Sequence, residues 1–589
     1  MQPQVQQNLQ LQQQLTSLAS GLDAAQLQWA SGFLAGLASQ YTAVAAPSAE
    51  TRAELTIWYG SETGNGRGVA ERLAQAAEAR GYRVELASLA EVQPRRIARV
   101  SLLLLVVSTH GEGDPPADAL AFHKLLTSDR APRLDALKFA VFALGDSSYP
   151  DFCQTGRELD EALADLGAAR ILERQDVDVD FEPAEDAWRE RALEELKPLL
   201  AGDHPQPHLQ VVRPAAVARH DRRNPYQAEV LEVAPLTIAP SNKIVRHVAL
   251  DIDGSGLEYQ PGDALGLWPQ HDRRLVEEIL EVTGLDGNIE VERQGERLAL
   301  AHWLTHRLEL TQVVRPFVQA VADRTESVHL KALLDDRQAL QDWVETRQVI
   351  DVLREFQPTV DAVGLVGLLR GIAPRLYSIA SSPLASEGEV HLTVKREGGL
   401  KDAGQLRAGV ASWQLTGLVE PGQRLPIYIE ANPRFRLPDD SDRPVIMIGP
   451  GTGVAPFRAF VEHRQALGHG GRNWLFFGEQ HRRTDFLYQL EWQRHLKSGT
   501  LHRLAVAFSR DQAEKLYVQH RIIEQGRAVY EWLEDGAHIY VCGSGQGMAA
   551  DVHQALLTVI AEYGGRGREH AEGYLEQLLA DKRYQKDVY

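Results

Sequence analysis

Tyr59-Gly60-Ser61-Glu62-Thr63-Gly64-Asn65-Gly66 follows the apolar run Leu55–Tyr59 and precedes a segment of helical spacing that starts near Arg67. Small and hydroxyl residues between a strand and a helix aim backbone N–H groups, with Ser61 and Thr63, along the positive end of the helix, and a phosphate fits there. The Lys-Ser/Thr pair of a nucleotide-hydrolysing loop is missing. Taken alone, the stretch is equally a tight turn, so its neighbours decide. Two further apolar runs, Leu102–Val107 and Phe139–Leu144, lead into loops of the same kind: Ser108-Thr109-His110-Gly111-Glu112-Gly113-Asp114 and Leu144-Gly145-Asp146-Ser147-Ser148-Tyr149. With Val84–Leu86 and Arg170–Leu172 these runs are predicted strands separated by helical segments. Such alternation implies a doubly wound parallel sheet with helices on both faces. Open parallel sheets bind ligands at the carboxyl ends of their strands, where all three loops lie.

These loops resemble the FMN site of flavodoxin-like domains. The resemblance implies that Ser61, Glu62, Thr63, Gly64, Asn65 and Gly66 take the phosphate. Ser108, Thr109, His110 and Gly111 would flank the isoalloxazine on one side, and Leu144, Gly145, Asp146, Ser147 and Ser148 on the other. Tyr149 is the stacking ring, and Phe152 and Cys153 continue its wall. Glu62 and Gly66 are departures from the family's Gln-Thr-Gly-Asn-Ala.

At 589 residues the chain has room for about three to five domains. Lys and Arg total 62 against 81 Asp and Glu, and the resulting charge of -19 repels nucleic acid and anionic lipid, so neither is an expected partner. The acidic stretch Glu173–Glu190, with Asp176, Asp178, Asp180, Glu182, Glu185 and Asp186 and few compensating charges, reads either as an ordinary solvated face or as a surface that steers a basic protein. Cys153 and Cys542 are the only cysteines, too few for a four-thiolate zinc or iron–sulfur site; no metal is expected on this chain, and a reducing compartment is. No basic residue precedes Arg52, and no apolar run approaches the roughly 20 residues that span a bilayer, so a cytoplasmic protein is expected.

Composition breaks divide the chain. Residues 1–50, with Leu11, Leu15, Leu18, Leu22 and then Leu27, Ala30, Leu34, Leu37 at helical spacing, read as an oligomerisation or docking segment or as a cap on the neighbouring core. Residues 51–200 form the first domain, and 201–224, rich in Pro, Gly and His, a linker. Residues 225–438 read as an antiparallel barrel interrupted by a helical insertion at about 271–371, and 439–589 as a second parallel α/β domain.

In the barrel, Arg375-Leu376-Tyr377-Ser378 offers a guanidinium clamp for a pyrophosphate, an aromatic face and a hydroxyl. Arg407-Ala408-Gly409-Val410-Ala411-Ser412 can bring backbone N–H groups onto the same pyrophosphate. Together they resemble the FAD-binding half of the ferredoxin–NADP reductase family. Thr393-Val394-Lys395 lies between them, with Lys395 where relatives have Gly. In the last domain Gly449-Pro450-Gly451-Thr452-Gly453 follows the strand Val445–Ile448, a turn through which a pyrophosphate approaches the backbone. Ser509, Arg510, Lys515, Leu516, Tyr517, Val518 and Gln519 gather hydroxyl, cationic and phenol groups suited to the 2′-phosphate of NADPH rather than to NADH.

Sites in the order FMN, FAD, NADP resemble the diflavin reductases over about residues 54–589. Among them, Phe435-Arg436-Leu437-Pro438, Asp485-Phe-Leu-Tyr-Gln-Leu-Glu-Trp-Gln493 and the closing Arg583-Tyr-Gln-Lys-Asp-Val-Tyr589 look most like the flavoprotein components of bacterial NADPH-dependent sulfite reductases. The resemblance implies electron flow from NADPH through FAD and FMN to a separate hemoprotein with sirohaem and an iron–sulfur cluster. Ser378, Cys542 and Asp587 would surround the hydride path, and the Tyr589 ring would cover the FAD. It also adds Thr311 to the FAD set and Asp551 to the NADP set. The alternative within catalysis is a general NADPH diflavin reductase serving another haem acceptor.

Overall fold

The computed structural model describes residues 54–111, 113–200, 220–400, 406–468 and 470–588. The N-terminal segment, most of the linker and Tyr589 lie outside the described residues. The first sheet is parallel, in the order β2 (Val84–Ser88), β1 (Leu55–Gly60), β3 (Leu102–Ser108), β4 (Lys138–Leu144), β5 (Ala169–Arg170). Its central strand β3 is apolar from Leu102 to Val107 because both faces are covered. Leu102, Leu104 and Val106 pack one way, and Leu103, Leu105 and Val107 the other. Helix α1 (Asn65–Ala79) buries Val69, Ala70, Leu73, Ala74 and Ala77 against the sheet, the spacing of one helical face.

The expected strand Arg170–Leu172 is corrected. Only Ala169–Arg170 pairs there, and a further strand, β6 (Gln175–Val177), adds to β4 at Phe142–Leu144. Its short, mostly polar sequence gave β6 no apolar signature.

The barrel is six antiparallel strands: β12 (Arg375–Ser378), β9 (Ala264–Leu267), β16 (Arg424–Glu430), β7 (Tyr226–Pro235), β8 (Val245–Asp251) and β13 (Glu389–Lys395). An Ile379–Leu392 bridge brings the end of β12 back to β13 and closes it. The insertion runs from helix Arg273–Thr283 to helix Ala362–Leu368 around its own core of Trp303, Phe317, Ile350 and Leu365. It also carries a hairpin, β10 (Glu290–Arg293) with β11 (Glu296–Ala299), where only helix is expected from the sequence. A second hairpin pairs β14 (Gly398–Leu400) with β15 (Leu406–Ala408).

The last sheet is parallel, ordered β19 (Arg503–Phe508), β18 (Asn473–Glu479), β17 (Val445–Ile448), β20 (His538–Gly543), β21 (Tyr584–Val588). The stretch Tyr584–Val588 is therefore an edge strand. Cys542 lies inside β20, in register with Asp587.

The acidic stretch is also corrected. Asp176 pairs with Arg174, Asp178 and Asp180 face Arg370 and Arg293, and Glu182 pairs with Arg222. Glu185 faces Arg72, Arg189 and Arg223, and Asp186 faces Arg189 and Arg223. Its charges are compensated within the chain, largely by arginines far away in sequence, so it is not an open steering face.

Candidate active site

The carboxyl ends of β1, β3 and β4 are adjacent, and their loops meet at one edge. At the first loop Gly64 caps α1 with φ 88, a left-handed conformation that suits glycine. A Cβ there would also overlap Glu430 of β16. Ser61 Oγ accepts from Gly66 N at 3.1 Å, and Ser61 N donates to Asp118 Oδ1 at 2.9 Å. Burial pushes the Asp118 carboxyl up, opposed by that N–H and by Arg434. Glu62 accepts from Ala117 N at 3.0 Å and faces Arg434 at 3.5 Å, so the departure at position 62 ties the loop to two neighbours.

At the second loop, Thr109 N bonds Leu144 O and His110 pairs with Asp114 across a short bridge, while Gly111 turns at φ 54. At the third, Asp146 accepts from Ser148 Oγ at 2.6 Å, and Ser147 donates its backbone N–H and its hydroxyl to Asp178. Arg370, from the barrel side, closes on Asp146 at 2.6 Å. Burial raises the Asp146 carboxyl, but Arg370 and the Ser148 donors outweigh it and hold the group below its ordinary value. The Tyr149 ring is exposed, as a stacking face must be. Cys153, beside it, is fully buried with its thiol on Ala143 O and Val177 O.

In the barrel the Arg375 guanidinium reaches Glu309 at 2.8 Å, and Thr311 donates both its N–H and its hydroxyl to the other Glu309 oxygen at 2.7 and 2.6 Å. Burial raises the Glu309 carboxyl; Arg375, His271 and the Thr311 donors overcome it and bring it down to about 2. Nothing in the sequence marks Glu309, yet it aims the arginine and the threonine. Leu376 and Tyr377 lie in β12 opposite Gly266 and Leu265 of β9. The hydroxyl of Thr393 bonds Tyr488 OH at 2.7 Å, and Val394 packs in the barrel core, so what these two residues offer a ligand is their backbone. Gly409, Val410, Ala411 and Ser412 open a short helix in which Ser412 Oγ accepts from Glu397 N, and the last three are buried.

Every residue expected at the NADP site lines one cavity of about 740 Å³: Gly451, Thr452, Ser509, Arg510, Lys515, Leu516, Tyr517, Val518, Gln519 and Asp551. Lys395, expected from the sequence at the FAD, lines it too, with Lys243 and Glu479. Gln519 donates to Asp551 at 3.0 Å. At Gly453 a Cβ would overlap the Cys542 carbonyl, so only glycine lets the turn lie against β20.

That turn sets β20 beside the barrel. Ser378 Oγ donates to Asp587 Oδ2 at 2.8 Å, and Cys542 Sγ approaches the same oxygen at 3.6 Å. Burial raises Asp587 against the pull of both donors, and burial raises the Cys542 thiol further above its ordinary range.

Three family models match in order along the chain: Flavodoxin over residues 57–194, FAD binding domain over 218–413, and Oxidoreductase NAD-binding domain over 447–554. The chain is 48% identical to the sulfite reductase (NADPH) flavoprotein alpha-component of Shewanella sp. strain MR-4, covering 98% of this chain and 97% of that one. Proteins of the same name match at 45% in Neisseria meningitidis serogroup A, with 98% and 97% covered, and at 44% in Vibrio cholerae serotype O1, with 98% and 95% covered. The chain belongs to the sulfite reductase flavoprotein alpha-component family. As a member it has a domain for FMN, one for FAD and one for a nicotinamide coenzyme. The donor sets fit these groups: an exposed tyrosine ring and a glycine turn at one sheet edge, an arginine pre-aimed by a buried carboxylate, and a cavity lined by cations. No described helix is long and apolar enough to cross a membrane.

Proposed function

We propose that this chain is the flavoprotein component of an NADPH-dependent sulfite reductase, passing electrons from NADPH by way of FAD and FMN to a separate hemoprotein that reduces sulfite to sulfide. The observation that carries the reading is the match to proteins of that name over 98% of the chain, through all three modules in order. When bound, the flavins accept an electron pair and release electrons singly. The chain's own residues bind and orient. Arg510, Lys515 and Tyr517 hold the 2′-phosphate. Ser378 and Cys542 place their hydrogens on Asp587, fixing that carboxyl where positive charge develops on the nicotinamide ring. Ser61, Thr63 and the Gly64 turn hold the FMN phosphate, and Arg375 the FAD pyrophosphate. We assign the domains to residues 51–200, 225–438 and 439–589. Residues 1–50 serve self-association or docking on the hemoprotein.

The purified chain should reduce cytochrome c with NADPH, and should yield sulfide from sulfite only when the hemoprotein is added. Cytochrome c reduction without sulfide in the complete mixture would leave a diflavin reductase and discard the acceptor. Removing residues 1–50 should spare cytochrome c reduction while reducing oligomer size or sulfide production.

A further inference from the structure

The large cavity has two walls. The nucleotide-domain wall carries Arg510 and Lys515, and neither makes an ion pair with a described residue. The barrel supplies the other. Lys395 ends β13 in register with Val245, two residues beyond Lys243, so the antiparallel pairing sets both lysines at one rim.

The two lysines are held differently. Lys243 Nζ reaches both Glu479 oxygens, at 2.9 and 2.7 Å, and the Glu479 side chain is only 2% exposed. Moving Lys243 onto a ligand would strand a buried carboxylate beside the Gly451 turn, which is strongly unfavourable. Lys243 therefore stays and cancels a charge that would repel an anion. Lys395 is paired at 2.8 Å with Glu397, whose side chain is 64% exposed while its own is 39% exposed. A solvated pair of this kind adds little stability, and the ammonium can transfer to a stronger anion.

We propose that Lys395 is a coenzyme-binding residue: from the barrel side it contacts the pyrophosphate of NADPH, while Arg510 and Lys515 take the 2′-phosphate and Lys243 neutralises Glu479. The inference rests on the reading of this cavity as the NADPH site. It moves that residue, expected from the sequence at the flavin, to the nicotinamide coenzyme.

Calorimetric titration of the flavin-loaded protein with NADP⁺ and with adenosine 2′-monophosphate, which lacks the pyrophosphate, separates the claims. Lys395→Gln should raise the Kd for NADP⁺ about tenfold, the loss of one charge-assisted contact, and leave that for the monophosphate and the flavin content unchanged. Lys395→Arg should restore NADP⁺ binding. Arg510→Ala should weaken both ligands. Unchanged NADP⁺ binding in Lys395→Gln, with Arg510→Ala still weakened, overturns the role of Lys395 and leaves the cavity assignment standing. Equal loss of both ligands in Lys395→Gln overturns the pyrophosphate contact. If Arg510→Ala affects neither ligand, the cavity reading falls and the proposal with it.

Discussion

Ser378 Oγ and Asp587 Oδ2 lie 2.8 Å apart although 209 residues separate them and they belong to different sheets. Cys542 reaches the same oxygen because β20 and β21 run in register, Cys542 beside Asp587. The barrel and the nucleotide domain thus share a three-group polar cluster whose members are positioned by sheet geometry rather than by a flexible loop.

This cluster should control hydride transfer without controlling FAD retention. Asp587→Asn keeps the size of the side chain and removes its charge. Flavin reduction by NADPH should slow by about ten- to a hundredfold, the equivalent of roughly 1.5–3 kcal/mol in a charge-assisted contact, with flavin content unchanged. Stopped-flow absorbance reads the rate. Cys542→Ala should slow it less, since its bond is longer. A normal rate in both variants would leave the three groups as packing only.

The buried Glu309 predicts a pH signature. Its carboxyl is held at about 2, against 4.5 ordinarily, so its contribution to stability is complete above about 4.5 and fades as pH falls toward about 2. A shift of that size corresponds to roughly 2–4 kcal/mol. Glu309→Gln should therefore melt below the parent protein at neutral pH, and the gap should narrow as pH falls through about 4. It should also loosen FAD, because Arg375 loses the partner that aims it. A gap independent of pH would show that the carboxylate charge is not what matters.

The parallel sheets and their ligand edges could be read from the sequence because they rest on local signals. Runs such as Leu102–Val107 announce a strand buried on both faces, and the glycine-rich turns after such runs mark the edge where a phosphate can reach the backbone. The residues expected from the sequence at an NADP site converge on one cavity for the same reason. What escaped the sequence depends on contacts between distant segments. Asp178, which holds Ser147, sits after a strand with no apolar pattern. Glu309 and Glu479 are buried carboxylates whose burial is decided by Arg375 and Lys243 from elsewhere in the chain. The acidic stretch looked uncompensated because several of its arginines, Arg72, Arg222, Arg223, Arg293 and Arg370, are widely scattered along the chain.

Other ion pairs join the flavodoxin-like domain to the barrel and its helical insertion. Asp146 faces Arg370 and Asp151 faces Arg337, both arginines from the helical insertion, and Glu62 faces Arg434, which follows the barrel strand β16. Raising salt from about 0.1 M to about 1 M shortens the screening length from about 10 Å to about 3 Å and weakens the exposed pairs most. The radius of gyration by small-angle scattering should rise with salt. Arg370→Gln, which removes the most buried of these arginines, should move that rise to lower salt. Identical scattering across the series would mean that packing rather than charge joins the two domains.

The two flavin sites should be separable by substitution, because each rests on its own fold and its own phosphate-binding turn. The first turn depends on Ser61, whose hydroxyl organises Gly66 N, and on Thr63, which is exposed at the loop's tip. A hydroxyl contact to a charged phosphate contributes on the order of 1.5–3 kcal/mol, so removing both should weaken FMN by at least about a hundredfold. Neither residue takes part in the packing of the sheet, and Glu309, Arg375 and Thr311 are untouched. The Ser61→Ala, Thr63→Ala double variant should thus be purified with FAD and little FMN, as chromatography of the released flavins will show. It should still accept hydride from NADPH while failing to reduce cytochrome c, and added FMN at high concentration should restore that activity. Loss of both flavins together would mean that the phosphate turn supports the whole chain rather than one cofactor, and the assignment of separate sites would have to be abandoned.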